Sequence, residues 1–129
     1  MTCTIHAYAD VVVAAPSGRI DFAGAQALEV ALAPALDPAS QVRGVVVDLG
    51  DVEYVSSVGL RVLMVAAKAL RARKASIAVA SLQPIVAEIF EISRFHHVVD
   101  VRATPRDAIG AISAQALAAY DGAKAAERP

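Results

Sequence analysis

The stretch "GVVVDLGDVEYVSSVGLRVLM", residues 44–64, decides how this chain folds. Val45, Val46 and Val47 make a continuous β-branched run, the pattern of a central strand buried on both faces, and Gly50 ends it. A helix is expected over about residues 58–73. There Leu60, Leu63, Met64, Ala67 and Leu70 line one face, while Arg61, Lys68 and Arg71 lie off it. Between strand and helix a loop is expected over residues 51–57, ending in two bare hydroxyls, Ser56 and Ser57. A buried strand feeding an amphipathic helix is half of a parallel-sheet unit, so the flanking sequence decides whether the unit recurs.

It recurs on both sides. Upstream, "CTIHAYADVVVAAPSGRI" predicts two short strands, about 3–8 and 10–15, with Asp10 at the turn and Pro16-Ser17-Gly18 ending the second. "DFAGAQALEVALAPAL" predicts a helix from near Ala23, with Asp21 as its expected cap, Ala25, Leu28, Leu32 and Leu36 on one stripe and a kink or stop near Pro34. Downstream, "ASIAVAS" reads as a short strand. "PIVAEIFEIS" reads as a helix with Pro84 at its first position and Ile85, Ile89 and Ile92 together. "HHVVDVRA" is expected to be the last strand. "TPRDAIGAISAQALAAY" reads as one helix, with Thr104 as N-cap, Pro105 at N1 and Asp107 in the first turn. The order ββαβαβαβα predicts an α/β domain over residues 1–120, with a mixed, mostly parallel sheet of about five strands and about four helices. Residues 121–129, "DGAKAAERP", are expected to be a flexible tail.

Composition narrows the function classes. The 129 residues are 57% hydrophobic and only 5% aromatic, which makes an aliphatic core and excludes a wholly disordered chain. Twelve basic against 13 acidic residues leave a net charge of −1, which gives no electrostatic reason to expect nucleic acid or an anionic membrane as partner. The single cysteine, Cys3, cannot close an internal disulfide, and a reducing, cytoplasmic setting is the simplest expectation. "MTCTIHAYADVVV" lacks the basic and long apolar regions of a secretory signal, and no run of about 18 apolar residues is present to span a membrane.

The hydroxyl pair admits three readings. Ser57 as N-cap would accept a hydrogen bond from an orphan N–H of the first helical turn, worth about 1 kcal/mol. As a nucleophile it would need a base. Neither serine sits in a G-x-S-x-G elbow, and nothing in the sequence brings His6, His96 or His97 to it. As a phosphate acceptor it has a physical argument. A helix N-terminus carries free N–H groups and about half a positive charge, so it tolerates the roughly −1.5 to −2 charges of a phosphoryl group without unfolding. Cap and phosphate acceptor are compatible roles. His96 and His97 are expected at a strand start, where adjacent side chains diverge, so they do not make a metal site, and no metal or cofactor set accompanies them. Arg61, Arg71, Arg73 and Lys74 read as a solvated basic face.

Residues 43–112 resemble a STAS domain of the anti-sigma-factor antagonist type. "GRID" at 18–21 is similar to the G-x-[IL]-D before that family's first helix, and "SSVGLRVL" and "EIFEIS" follow in the family's order. The resemblance implies a non-enzymatic binding domain. Its partner would be an anti-sigma factor that is a serine kinase of histidine-kinase-like ATPase fold. That kinase phosphorylates the serine opening the second helix, the phosphorylated form lets go, and a serine phosphatase restores binding. In the family pattern Asp-Ser-[Ser/Thr/Ala]-Gly-[Leu/Ile], Ser57 matches the phosphoacceptor (Ser56 is the alternative), Gly59 the glycine and Leu60 the aliphatic residue. Ser56 stands where Asp is usual, Val58 at the small third position, and Arg94 where Gly often follows "EIS". The implied contact surface takes in Asp21, Asp51, Ser56, Ser57, Val58, Gly59 and Arg61; a homodimer stays open. The alternative is a cytoplasmic STAS subunit of a lipid-transporting ABC system, without phosphate chemistry.

Overall fold

The structure, a computed structural model, describes residues 2–127. An antiparallel hairpin of β1 (Thr2–Tyr8) and β2 (Val11–Ile20) opens the chain. Then come α1 (Phe22–Leu36), β3 (Gly44–Asp48), β4 (Asp51–Val55), α2 (Ser57–Ala72), β5 (Ser76–Ala80) and α3 (Pro84–Ile92). A 3-10 turn (Phe95–His97), β6 (Asp100–Arg102), α4 (Pro105–Ile112) and α5 (Ala114–Ala126) complete it. The strands lie in the order β1-β2-β3-β5-β6, with β4 also on β2, and every pairing except β1–β2 is parallel. This is the expected mixed, mostly parallel α/β sheet. Period-two alternation divides it between two layers. Val45, Val47, Ile77 and Val79 pack under α1, α2 and α3, while Val46, Ala78 and Ala80 pack under α4 and α5.

The structure departs from the sequence reading in instructive places. β2 does not stop at Pro16 but runs on to Ile20. Its first half pairs with β3 over Val11–Ala14 and its second with β4 over Ser17–Ile20. Pro16, which has no N–H to give, falls in the gap where β2 changes partner. Gly18 takes φ +91 at the register shift beside Arg19, a bulge that a residue with a Cβ would strain. β4 is a strand where a loop was expected. Val52 and Val55 point into the core and Asp51 and Glu53 point out.

The helices are also adjusted. On α3 the buried residues are Val86 and Phe90, so the Ile85–Ile89–Ile92 stripe faces outward, with Ile85 and Ile92 exposed. The last strand is only Asp100–Arg102. His96 and His97 sit in the 3-10 turn, where their rings lie 4.2 Å apart rather than diverging. Arg94 before that turn is left-handed, φ 54, the backbone that glycine takes most easily. The C-terminal helix is two helices joined at Ser113, and residues 121–126 of the expected tail are helical, with Arg106 clamping Asp121 at 3.0 Å. Residues 128 and 129 lie outside the described residues. Arg73 is not part of a solvated face. Its guanidinium donates to the carbonyls of Ala35, Ser40 and Val42, pinning the end of α1 and the following loop to α2.

Candidate functional site

The site forms because β2 and β4 end side by side. Ile20 is opposite Val55, so α1 and α2 leave the sheet from adjacent strands, and the Ser56 N–H donates to the Ile20 carbonyl at 2.9 Å. Each helix then takes its own cap. Asp21 accepts from the Gly24 N–H at 2.9 Å, as its place before α1 led one to expect. On α2 the cap is Ser56, not Ser57: the Ser56 Oγ accepts from the Gly59 N–H at 3.2 Å. Ser57 is therefore the first helical residue. Its side chain is exposed, while Ser56 is half-buried. The two serines divide the work, one holding the helix end and its neighbour standing in solvent.

Gly59 explains how α2 sits so close. A Cβ there would come within 2.7 Å of Ile20 Cγ2 and 2.9 Å of Val55 Cγ1, so the helix rests directly on β2 and β4. The first turn of α2 holds no acidic side chain. Its positive end is met only by the neutral Ser56 cap, which leaves room for an anion. Arg61, one turn on from Ser57, shares its face and is exposed.

Two shallow depressions flank Arg61. One, of about 430 Å³, is lined by Ser57, Leu60, Arg61, Met64 and Phe95. The other, of about 310 Å³, lies between α1 and α2 and includes Phe22, Val58 and Val65. Phe22 is 65% exposed and Val65 50%, apolar surface left bare around the serine. The structure thus gathers Asp21, Ser56, Ser57, Val58, Gly59 and Arg61 at one end of the sheet. It does not bring Asp51 there. That residue starts β4, about 16 Å of strand away from Ser56 at the usual rise, and its Cα partner is Ser17. Phe22, Met64, Val65 and Phe95 were not singled out from the sequence. Phe22 follows the Asp21 cap directly and Val65 lies off the core stripe of α2, the two signals that mark them as surface residues.

Among the described residues no group of three or more His, Cys, Asp or Glu side chains is placed to hold a metal ion, and no helix is long and apolar enough to cross a membrane. The depression beside Ser57 is lined by a hydroxyl, a cation and apolar side chains, and the one between α1 and α2 adds Gln26 and Glu29, a constellation suited to docking a partner and to carrying a charge placed upon it.

Comparison with known proteins agrees with this geometry. A family model described as "Mlab, STAS domain" matches residues 6–100. BtrV of Bordetella bronchiseptica, a protein assigned by name as an anti-sigma factor antagonist, is 38% identical over 117 residues, which are 91% of this chain and 98% of that one. The crystal structure of an anti-sigma factor antagonist from Mycobacterium paratuberculosis superposes with a TM-score of 0.76 at 26% identity, covering 86% of this chain and 92% of the other. The phosphorylated form of the Bacillus cell fate determinant SpoIIAA shares the fold, with a TM-score of 0.68 at 15% identity over 87% of this chain and 100% of that one. The chain belongs to the STAS domain family, among its anti-sigma factor antagonists.

Proposed function

We propose that this protein is the antagonist in a phosphorylation-dependent partner switch. The face around Ser57 binds an anti-sigma factor that is a serine kinase of histidine-kinase-like fold, in the cytoplasm. The kinase transfers the γ-phosphoryl group of ATP to Ser57 Oγ. The β–γ anhydride bond breaks, a P–O bond to the serine forms, and the hydroxyl proton leaves to the kinase. The added charge and bulk sit among Arg61, Val58 and Leu60, where the partner docked, and binding is lost while the fold stays intact. A serine phosphatase hydrolyses the ester and restores the binding form.

The observation that carries this reading is the exposed Ser57 at the first position of a helix whose first turn lacks an acid. The relative named as an anti-sigma factor antagonist, which matches nearly the whole chain, supports the class of partner. Phosphopeptide mapping after incubation with the cognate kinase and ATP is the test. Label on Ser57, lost in Ser57→Ala, is the expected result; label elsewhere, or none, contradicts it.

A second reading, a subunit of membrane transport machinery with no phosphate chemistry, is favoured by one residue. Ser56 stands where this family's pattern has Asp, so a carboxylate beside the acceptor is missing. Purification of the tagged protein from its own cells separates the two: a soluble kinase accompanies it on the first reading, a transporter ATPase on the second.

A further inference from the structure

Away from Ser57, β1 forms an open edge of the sheet. It pairs with β2 on one side in unbroken register from Thr2 to Tyr8 and, among the described residues, with no strand on the other. Exposed edge strands in folded proteins are commonly guarded by lysine, proline, a bulge or an inward charge. β1, "TCTIHAY", has none of these: no Asp, Glu, Lys, Arg, Pro or Gly interrupts it, and Ile5 at its centre is 43% exposed.

The helix beside this edge is equally unguarded. α1 packs on β1, β2 and α2. Its core side is Gly24, Ala25, Leu28, Leu32 and Ala35, and its α2 side carries Gln26 and Glu29. The side turned away from α2 carries Ala23, Ala27, Ala31 and Pro34, with no polar group, and Val30 beside it on the outer face is 74% exposed. A surface helix usually carries polar groups away from the core, yet this flank of α1 is apolar and lies bare beside a bare strand edge.

We infer that a second copy of this chain covers both, by antiparallel pairing of β1 with β1 across a two-fold axis. The strand is self-complementary in that arrangement. With the axis at Ile5, Ile5 faces the partner's Ile5, Cys3 faces the partner's Ala7, and Thr4 faces the partner's His6. No like charges meet, because the strand has no Asp, Glu, Lys or Arg. The two sheets become one continuous sheet, the outer hydrogen-bonding groups of β1 find partners, and the two α1 flanks meet on one side, where alanines permit close approach. Antiparallel pairing points the two Ser57 faces to opposite ends of the dimer, so both stay open. The inference is independent of what binds at Ser57.

Sedimentation equilibrium of the full chain over a wide concentration range is the first test, with the dimer mass expected. Ile5→Lys places a charge opposite its own copy, and Val30→Glu does the same between the helices. Both positions are exposed, so the fold is retained, as circular dichroism will check, and each weakens dimerisation at least about tenfold. Ile5→Cys in a Cys3→Ser background gives a second readout. Directly opposed residues on paired strands lie within disulfide reach, so mild oxidation yields a covalent dimer. The same treatment of Ile85→Cys in that background, on exposed α3, yields none. A monomer at all concentrations, a dimer untouched by Ile5→Lys and Val30→Glu, or cross-linking at Ile85→Cys and not at Ile5→Cys, overturns the inference.

Discussion

Two helices in this molecule begin with a serine cap, and the two ends do opposite things. At the start of α5, Ser113 is only 6% exposed. Its hydroxyl accepts from the Ala116 N–H at 3.1 Å and donates to Asp10 Oδ1 at 2.7 Å, tying the C-terminal helices to the β1–β2 turn. At the start of α2, the Ser56 hydroxyl accepts from Gly59, and the next residue, Ser57, is exposed. Cap chemistry is the same at both ends. What separates a structural serine from an addressable one is the surroundings. A half-buried carboxylate partner locks the first, and a doubled serine releases the second from capping duty.

That contrast can be broken by mutation. Ser113→Ala removes a cap and the hydrogen bond to Asp10, which keeps Arg43 beside it, and is expected to destabilise the protein by about 2 kcal/mol in urea unfolding. Gly59→Ala drives a methyl group against Ile20 and Val55 and is expected to cost about 1–2 kcal/mol, with the start of α2 losing amide protection. Ser56→Ala loses the cap alone, about 1 kcal/mol. Ser57→Ala and Ser57→Asp change stability by no more than about 0.5 kcal/mol, and the aspartate leans toward a gain because it meets the positive end of α2. A Ser57→Ala variant as unstable as Ser113→Ala would erase the distinction. The smallest effect is one of pH. The hydrogen bond from Arg106, against a weaker opposing effect of burial, holds the Asp121 carboxyl below the usual carboxylate range. Its contribution is therefore present above the unfolded-state value and fades as pH falls through the lower folded-state value. Hydrogen exchange in α5 is expected to quicken in acid more than exchange at the start of α2, and Arg106→Ala abolishes the difference.

Much of this was legible in the sequence. The Val45–Val47 run, the Asp21 and Thr104 caps and Pro84 at N1 rest on local chemistry, which the chain displays openly. What escaped reading depends on neighbours. Pro16 looked like a stop because a proline interrupts one ladder, yet β2 has two successive ladders and the proline falls between them. "DVEYV" alternates as a strand should, but five residues between a glycine and a serine pair pass easily for a loop. Ile85, Ile89 and Ile92 keep perfect helical spacing and still face outward, because Val86 and Phe90 form a second apolar stripe that wins the core. At the site, the sequence located the serine pair but assigned the cap to Ser57 rather than Ser56, a shift of one residue that the cap geometry alone decides.

The account rests on negative charge at Ser57 changing what the protein binds without changing its shape. Titration of the proposed anti-sigma kinase partner with wild-type protein and Ser57→Asp, beside thermal unfolding of both, tests this most directly. Expected are unfolding midpoints within a few degrees of each other and an affinity at least about tenfold weaker for the aspartate variant. Equal affinities with equal stabilities would contradict it.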